Sequence, residues 1–352
     1  MAQANGDVLL VGSVPLDSAR EVFRICAAAL GSHLRALPDG EVGPRKSWIQ
    51  CQAMFVFDGH PALETVSRPR SPDGIPRDYG DSWVFRLKPG VEAIDFDDLK
   101  YAGWAGESYR IFCDLRRNGE IPAGLRFQVS LPTPQGGCLA FFDRTSDREL
   151  VIDAYERAMM REVEKICAQI PHHDLALQWD VCTEVLEIAG NLAFLPGEPL
   201  TRAGTQFERI ARSIPSEVVL GYHFCYGDLA HRHLVEPDNL GLSVRMAHLA
   251  ISRSKRRVDW VHMPVPISRS DDAYFAPLGE LQTGDTKAFL GLIHLHDGSE
   301  GALKRARAAR RRLPHFGVAT ECGLGRRAPE TLGEVLRIHR EVAEQLMRDA
   351  VG

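Results

Sequence analysis

The sequence lacks several features that would place it in a common class of protein. No apolar run in its 352 residues approaches the roughly 20 residues that a transmembrane helix needs. The net charge is −5, so the overall charge gives no support for a nucleic-acid partner. The opening stretch MAQANGDVLLVGSVP has no basic region before its short apolar run, unlike a signal peptide. We therefore expect a cytoplasmic protein that binds neither membranes nor nucleic acid.

Paired cysteine motifs and a dinucleotide-binding loop are also missing. The eight cysteines form no C-x-x-C pair and stand at positions 26, 51, 113, 138, 167, 182, 225 and 322. In a long cytoplasmic chain such a spread argues against a disulfide framework. The glycines of CGLGRR (322–327) do not have the G-x-G-x-x-G spacing of a Rossmann loop. Most of the thiols should be buried, with one or two available as metal ligands or nucleophiles.

What the sequence does contain is a regular alternation of strand-like and helix-like segments. Short apolar runs lie at 7–13, 33–39, 125–131, 175–181, 217–224, 258–264, 289–295 and 316–322. Amphipathic stretches such as 146–170 and 302–313 separate them. This alternation predicts a parallel sheet covered by helices. Eight strands favour one (β/α)8 TIM barrel over residues 1–352, with a Pro- and Gly-rich insertion at 50–120 after the second strand.

Polar side chains stand at the end of each predicted strand, where a TIM barrel carries its active site. They are Ser13, Asp39 with Glu41, Ser130 with Thr133, Asp180 followed by Glu184, His223 with Cys225, His262, His294 with His296, and Glu321 with Cys322. One such residue is usually a cap, but a full set converging on one mouth indicates a site. We expect Asp180, Glu184 and His294 to be catalytic, as groups that orient the substrate or carry protons.

The segment GYHFCYG (221–227) suggests a metal site within this mouth. His223 and Cys225 are two residues apart, so both project to the same side of one strand. Cys322, at another strand end, can reach the same point. Thiolate and imidazole together favour Zn2+, which prefers tetrahedral nitrogen and sulfur ligands. The alternative is an ordinary core histidine beside an inert buried thiol, since both residue types are often buried.

Five segments, in order along the chain, resemble the catalytic barrel of cobalamin-independent methionine synthase, within the broader group that includes uroporphyrinogen decarboxylase. They are VGSVP (11–15), VSLPTP (129–134), LQWDV (177–181), HFCYGD (223–228) and TECGLGRR (320–327). The last two resemble the specific family motifs H-x-C-Y and P-D-C-G-L-K-T-R. The resemblance implies that His223, Cys225 and Cys322 are zinc ligands. It also implies that Ser13 and Asp180 hold the polar end of an amino-acid substrate.

The chain departs from the family pattern at three places that bear on the site. The acidic-proline pair that follows the strand-end aspartate in the family is replaced by Val181-Cys182. The family has a fourth ligand, a glutamate at the end of strand six, whereas WVHMPVPISRSDD (260–272) contains none and offers His262 as the nearest substitute. The segment LPDGEVGPRKSWI (37–49) resembles no methionine synthase motif. It brings four further candidate substrate-binding residues to the expected pocket, which are Asp39, Glu41, Arg45 and Trp48.

Three functions are compatible with these residues. The favoured one is a zinc-dependent transferase that moves a methyl or alkyl group to the thiol of a small-molecule substrate. The second is a metal-assisted lyase or decarboxylase on the same barrel, acting on a carboxylated substrate, which His294 and the DGE strand end (39–41) would suit. The third is a small-molecule binding protein that has kept the barrel and lost its chemistry. Metal content and dependence on a thiol co-substrate distinguish the three.

Overall fold

A curled parallel sheet wrapped by helices forms the body of the molecule. The computed structural model describes residues 7–78, 80–229 and 233–351. Seven parallel strands make the sheet in the order β1-β4-β5-β6-β7-β8-β9. Their bounds are Ala36–Pro38 (β1), Arg126–Pro132 (β4), Leu175–Val181 (β5), Val219–Phe224 (β6), Trp260–Pro264 (β7), Lys287–Ile293 (β8) and Gly317–Thr320 (β9). The predicted α/β class and parallel sheet are therefore confirmed.

The helices lie between these strands and cover the outside of the sheet. They are α1 Ala19–Leu30, α2 Gln50–Gln52, α3 Tyr101–Arg117, α4 Pro134–Cys138, α5 Thr145–Gln169, α6 Thr183–Ile188, α7 Pro199–Arg212, α8 Gly241–Arg253, α9 Asp272–Phe275, α10 Gly298–Arg310 and α11 Leu332–Val351. Strand β5, LALQWDV, is buried along its whole length because helices cover one side and the sheet interior the other. No helix in the described ranges has both the length and the apolar character required to span a bilayer.

The segment predicted as the first strand, 7–13, is not a regular strand. It is held by isolated parallel bridges, from Val8 to both Leu34 and Val318, and from Ser13 to Gly40. Backbone hydrogen bonds of about the usual length support these bridges, including Leu9 N–H to Val318 C=O at 3.0 Å. The segment therefore lies between the two edges of the curled sheet and is hydrogen-bonded to both.

The region 50–120 contains more than a crossover helix. After α2 and a π-helical turn at Ala53–Phe57, strands β2 (Leu63–Ser67) and β3 (Val84–Leu87) pair as an antiparallel hairpin. Helix α3 then leads into β4. Phe57 packs edge-to-face against four phenylalanines, including Phe85 on the hairpin and Phe142 before α5. These contacts fasten the hairpin to the main core.

The inner face of the curled sheet changes from apolar to polar along the strand direction. A separate buried cluster fills the part of this face nearer the amino ends of the strands. Its members are Leu9, Val11, Ala36, Ala176, Trp260, Phe289 and Ala319. Two residues further along the strands, the same face presents Gln178 and His262. The Gln178 amide donates to the carbonyl of Val11 at 2.6 Å and accepts from the Trp260 indole at 3.2 Å. The apolar cluster thus ends in a hydrogen-bonded polar layer.

Candidate metal and substrate site

Adjacent strands bring the predicted polar residues into one row. In the β5–β6 register Asp180 is level with His223, and in the β6–β7 register His223 is level with His262. Because parallel strands have their carboxyl ends at one edge, these side chains share the same mouth. Cys225 follows immediately beyond β6, where its N–H donates to the carbonyl of Val181 at 2.9 Å.

An imidazole and two thiols approach one another in this mouth. The ligand atoms of His223, Cys225 and Cys322 all lie within 4.8 Å of each other. The two sulfur atoms are 3.8 Å apart, and the Cys322 sulfur is 3.7 Å from Nε2 of His223. His223 and Cys225 are 2% and 8% exposed. The structure therefore brings together the three residues that the H-x-C spacing and the distant cysteine predicted.

His262 lies behind His223 rather than beside the thiols. Its Nε2 is 3.0 Å from the carbonyl of Thr320, and its Nδ1 is 2.7 Å from Nδ1 of His223. A carbonyl only accepts, so Nε2 of His262 donates; burial lowers the pKa of His262 to about 3, which keeps the ring neutral. Nδ1 of His262 then accepts from His223. Both of its nitrogens are engaged, so His262 is not available as the fourth ligand that the sequence suggested.

This hydrogen-bond chain fixes the tautomer of His223. Because Nδ1 of His223 carries the proton donated to His262, its Nε2 keeps a free lone pair facing the thiols. Burial, reinforced by His262, lowers the pKa of His223 well below its ordinary value, so the ring stays neutral near neutral pH. A neutral imidazole with a lone pair on the ligand side is the form that binds a metal, with its other nitrogen held by an outer partner.

The geometry and chemistry of the three residues fit a zinc ion. Two ligands about 2.3 Å from a tetrahedral centre lie roughly 3.7 Å apart, close to the observed separations. Hydrogen bonding between the sulfurs and burial raise the thiol pKa of Cys322 well above its ordinary value. A bound divalent cation would reverse this by stabilising the thiolates. The donor set, one imidazole and two thiolates, is one that zinc prefers.

Asp39 and Arg45 form a buried ion pair at the neighbouring strand end. Arg45 donates from Nη2 to Oδ2 of Asp39 at 2.6 Å and from Nη1 to Oδ1 at 3.2 Å. Burial opposes ionisation of Asp39, but the charge and hydrogen bonds of Arg45 outweigh it and lower the pKa of the carboxyl. The pair is therefore ionised and mutually satisfied, so it supports the pocket wall and leaves little free charge for a substrate.

Glu41 and Asp180 are the two neighbouring carboxyl groups of the pocket whose pKa values are raised. Burial raises the pKa of Glu41 to about 7, and Asp39 raises it further while Arg45 lowers it. Burial raises the pKa of Asp180 well above its usual range, and the nearby charge of Glu41 adds to the effect. Glu41 also adopts a left-handed backbone conformation, φ 52°, which a non-glycine residue rarely takes. Two close carboxyl groups in a buried site favour a cationic partner.

Trp48 and Ser13 complete the pocket from two loops. Trp48 packs against the buried cluster that contains Cys225, and hydrogen bonding from Trp48 opposes the rise in the pKa of Asp180. Six residues, Glu41, Arg45, Trp48, Tyr101, Ser130 and Pro132, line a cavity of about 10 Å³, roughly the room of one water molecule. The Ser13 hydroxyl accepts from the N–H of Gly325 at 3.1 Å. A Cβ on Gly323 would stand 2.3 Å from that hydroxyl, so the CGLG loop needs glycine there.

Glu184 and His294 have partners outside the thiol cluster. Glu184 accepts hydrogen bonds from Thr133 at 2.6 Å and from Gln206 of α7. Its carboxylate therefore holds α6 in place against these neighbours. His294 has Nε2 2.9 Å from the carbonyl of Val265 and Nδ1 3.4 Å from Glu321. The structure therefore does not bring Glu184 into the pocket. Burial lowers the pKa of His294, which lies beside Glu321, the residue before Cys322 in the chain.

Two residues that the sequence interpretation missed are part of the site. Arg326 has its charge close to Cys322, Asp228, Cys225 and Glu41, and these neighbours raise its pKa although burial opposes them. Gln178 donates to Asp180 at 2.9 Å and so holds that carboxyl in place. Arg326 stands in the motif that carries Cys322, so its position was a usable signal. Gln178 precedes Asp180 by two residues on β5, so same-side projection along that strand was a usable signal for it too.

Comparison with solved structures shows which known proteins have this fold. A B12-independent methionine synthase from Shewanella sp. W3-18-1, in complex with selenomethionine, is similar at a TM-score of 0.63 and 13% identity, over 99% of each chain. A methyltransferase from Methanosarcina mazei is similar at a TM-score of 0.58 and 10% identity, over 99% of this chain and 95% of that one. No protein family and no curated protein match the sequence. At these identities the likeness extends to the fold, and the chain has the fold of the B12-independent methionine synthases and related methyltransferases.

Proposed function

We propose that the chain is a zinc-dependent transferase that moves a methyl or alkyl group to the thiol of a small molecule. The observation that carries the proposal is the mutual approach of His223, Cys225 and Cys322 at the mouth of this fold. Zinc, when bound, supplies a Lewis acid that lowers the pKa of a substrate thiol. The proposal includes a closed (β/α)8 barrel in one domain, with the segment 7–13 in the place of the first strand. It also includes a cytoplasmic location, where thiols stay reduced.

Each residue of the metal site has a separate task. His223 offers Nε2, and Cys225 and Cys322 offer their sulfur atoms. His262 holds His223 in the tautomer and orientation that ligation needs. Replacing such an outer partner usually weakens metal binding, so His262 is a positioning residue in this proposal and not a ligand.

The carboxyl pair supports an amino-containing thiol as the substrate. Glu41 and Asp180 share a buried region in which their charges repel, and each pKa is raised. A substrate ammonium group would relieve this repulsion and allow both carboxyls to ionise. Glu41, with a pKa of about 7, can also take up or release a proton at neutral pH. Ser13 and the N–H groups of the CGLG loop lie at the same mouth.

The cations that a decarboxylase or lyase would need for a carboxylated substrate are already paired. Arg45 is bidentate to Asp39, and Arg327 donates to Glu321 at 3.0 Å. His294 faces the same Glu321. These contacts support the transferase over the lyase, because a substrate carboxylate would compete with an existing carboxylate at each position.

Metal analysis of native protein tests the proposal. We expect near-stoichiometric zinc in the wild type and in Cys167→Ala, a half-buried thiol on the outer helix α5. Cys225→Ala and Cys322→Ala should each lose the metal while staying folded, since a core of this size does not depend on a metal. Alkyl transfer to simple aminothiols should follow the zinc content. A metal-free wild type, or full zinc in both site variants, would show that His223 and Cys225 are ordinary core residues and not metal ligands.

A further inference from the structure

We propose that Cys182 is a fourth, exchangeable ligand of the metal site, which yields its place to the substrate thiol. This inference rests on the proposed function and names the ligand that His262 cannot be. In the place of the glutamate that the methionine synthase family has after the strand corresponding to β7, this chain would use a thiolate from the residue that follows β5.

The strand register carries Cys182 to the site. Asp180 is level with His223 and Val181 with Phe224. The paired register ends at Val181 and Phe224, and just beyond it the Cys225 N–H donates to the carbonyl of Val181 at 2.9 Å. Cys182 and Cys225 are the next residues after these two strands, and Cys182 turns into α6 with a helical backbone (φ −111°, ψ −60°).

The side chains of Cys182 and Cys225 are in contact. Cys182, Leu186 and Cys225 form a small buried cluster, and Trp48 and Cys322 pack against it. A hydrogen bond between the Cys182 and Cys225 thiols is the largest influence on the pKa of Cys225, which it raises. Three thiols therefore belong to one cluster beside the imidazole of His223, with the Cys182 sulfur farther from the other ligand atoms than they are from one another.

The surrounding charge suits a third thiolate. Zinc with one neutral imidazole and three thiolates carries a net charge of −1, whereas two thiolates leave it neutral. Arg326 is half-buried and brings a positive charge close to both Cys322 and Cys225, while Asp228 pairs with it at 3.5 Å. The charge of Arg326 that Asp228 leaves unbalanced offsets part of the additional negative charge.

Cys182 is the ligand most easily displaced. Its sulfur is not among the atoms that lie within 4.8 Å of one another, so ligation requires rotation about its Cα–Cβ bond. When a substrate thiol arrives, its sulfur forms the new bond to the metal and the bond to Cys182 breaks. The proton leaving the substrate sulfur goes to the Cys182 sulfur, so charge and atoms balance. The site then needs no separate base for this step.

Cobalt substitution tests the inference, because the intensity of sulfur-to-Co2+ charge-transfer absorption grows with the number of bound thiolates. We expect the Co2+-loaded wild type and Cys167→Ser to show three thiolates and Cys182→Ser to show two. Adding 2-mercaptoethanol should leave the wild-type count at three, through exchange, and raise that of Cys182→Ser from two to three. Zinc-edge X-ray absorption of the wild type gives the sulfur count without any variant.

The outcomes separate this inference from the proposed function. A wild type that binds metal with two sulfur ligands, or with equal absorption in Cys182→Ser, overturns the role of Cys182 and leaves the zinc site intact. A wild type that binds neither Zn2+ nor Co2+ overturns both. If Cys182→Ser does not fold, three sulfur ligands in the wild-type X-ray absorption support the inference and two refute it.

Discussion

A single hydrogen bond, from Nδ1 of His223 to Nδ1 of His262, sets which nitrogen of His223 faces the thiols. His262→Leu should therefore weaken zinc binding by about 10- to 100-fold, as loss of an outer partner does. His262→Asn should keep most of the affinity, because its side-chain oxygen can accept at the position of Nδ1. Chelator competition measures both. Equal affinity of the Leu and Asn variants would contradict the positioning role.

Glu41 should make stability depend on pH. Its pKa is raised from 4.5 to about 7, mainly by burial, so the folded state keeps a proton that the unfolded chain loses. This stabilisation is fully present below about pH 4.5 and is lost as pH rises through about 7, at no more than about 1.4 kcal/mol per unit. In Glu41→Gln this part of the pH dependence should vanish.

Urea unfolding of metal-free protein at pH 5 and pH 7.5 measures the effect. The exposed carboxyl Glu64, on the β2–β3 hairpin, provides the control Glu64→Gln, which should retain the wild-type dependence. A Glu41→Gln protein with the same pH dependence as the wild type would show that Glu41 ionises normally.

Asp180 should matter for turnover rather than for stability. Asp180→Asn preserves the volume and the contact with Gln178 but removes the charge that a cationic substrate group would meet. We expect kcat/KM to fall by about 30-fold or more, the usual cost of losing a buried charge partner. The melting temperature should stay within a few degrees. A large drop in melting temperature would instead identify Asp180 as structural.

Residue identity and spacing predicted the candidate metal triangle, because same-side projection along a strand is a local rule. His223, Cys225 and Cys322 are together as expected. The role of His262 was not predictable, since it depends on a proton position set by the carbonyl of Thr320 on another strand. Glu184 was predicted to be catalytic because it follows a strand end, but the start of α6 directs it to Thr133 and Gln206.

At the level of elements, Glu184 connects α6 to β4 and α7 through these hydrogen bonds. Glu184→Ala leaves the buried hydroxyl of Thr133 without its acceptor, so we expect a loss of about 1–3 kcal/mol in unfolding free energy. Zinc content should remain that of the wild type. Comparison with Asp180→Asn by thermal unfolding separates a structural carboxyl from a site carboxyl. A stable but inactive Glu184→Ala would restore the catalytic interpretation.

Regular strands were predicted more accurately than the irregular segments. The segment predicted at 175–181 coincides with β5, and the other predicted sheet strands from β4 onward overlap the observed ones. These runs are apolar because both of their faces are buried. Segment 7–13 has the same composition but forms only isolated bridges. A small hairpin was expected within 50–120, but the bounds of β2 and β3 were not predicted, because β2 is mostly exposed and lacks a strong apolar pattern.

For the molecule as a whole, the bridged segment 7–13 should determine whether the curled sheet behaves as one cooperative unit. Val8 donates its N–H to His33 at 3.0 Å and bridges Val318 on the opposite edge. Val8→Pro removes this donor and should cost at least about 1–3 kcal/mol beyond Val8→Ala, which loses only packing. Circular dichroism and tryptophan fluorescence should report the same transition in both variants. Separate transitions would contradict a single folding unit.

Trp48 gives the site an optical reporter of its own. The Trp48 side chain is half-buried and packs on the cluster of thiols. Its hydrogen bond to Asp180 acts to lower the pKa of that carboxyl. Of the five tryptophans, Trp83, Trp179 and Trp260 are almost fully buried, and Trp104 lies against the guanidinium of Arg45. Trp48 packs on the thiol cluster and lines the cavity, so a ligand entering the mouth would change its surroundings most directly. Binding of Co2+ or of an aminothiol should therefore quench or shift emission in the wild type and leave Trp48→Phe much less responsive. Occupancy of the site can then be followed by emission, before any reaction is known.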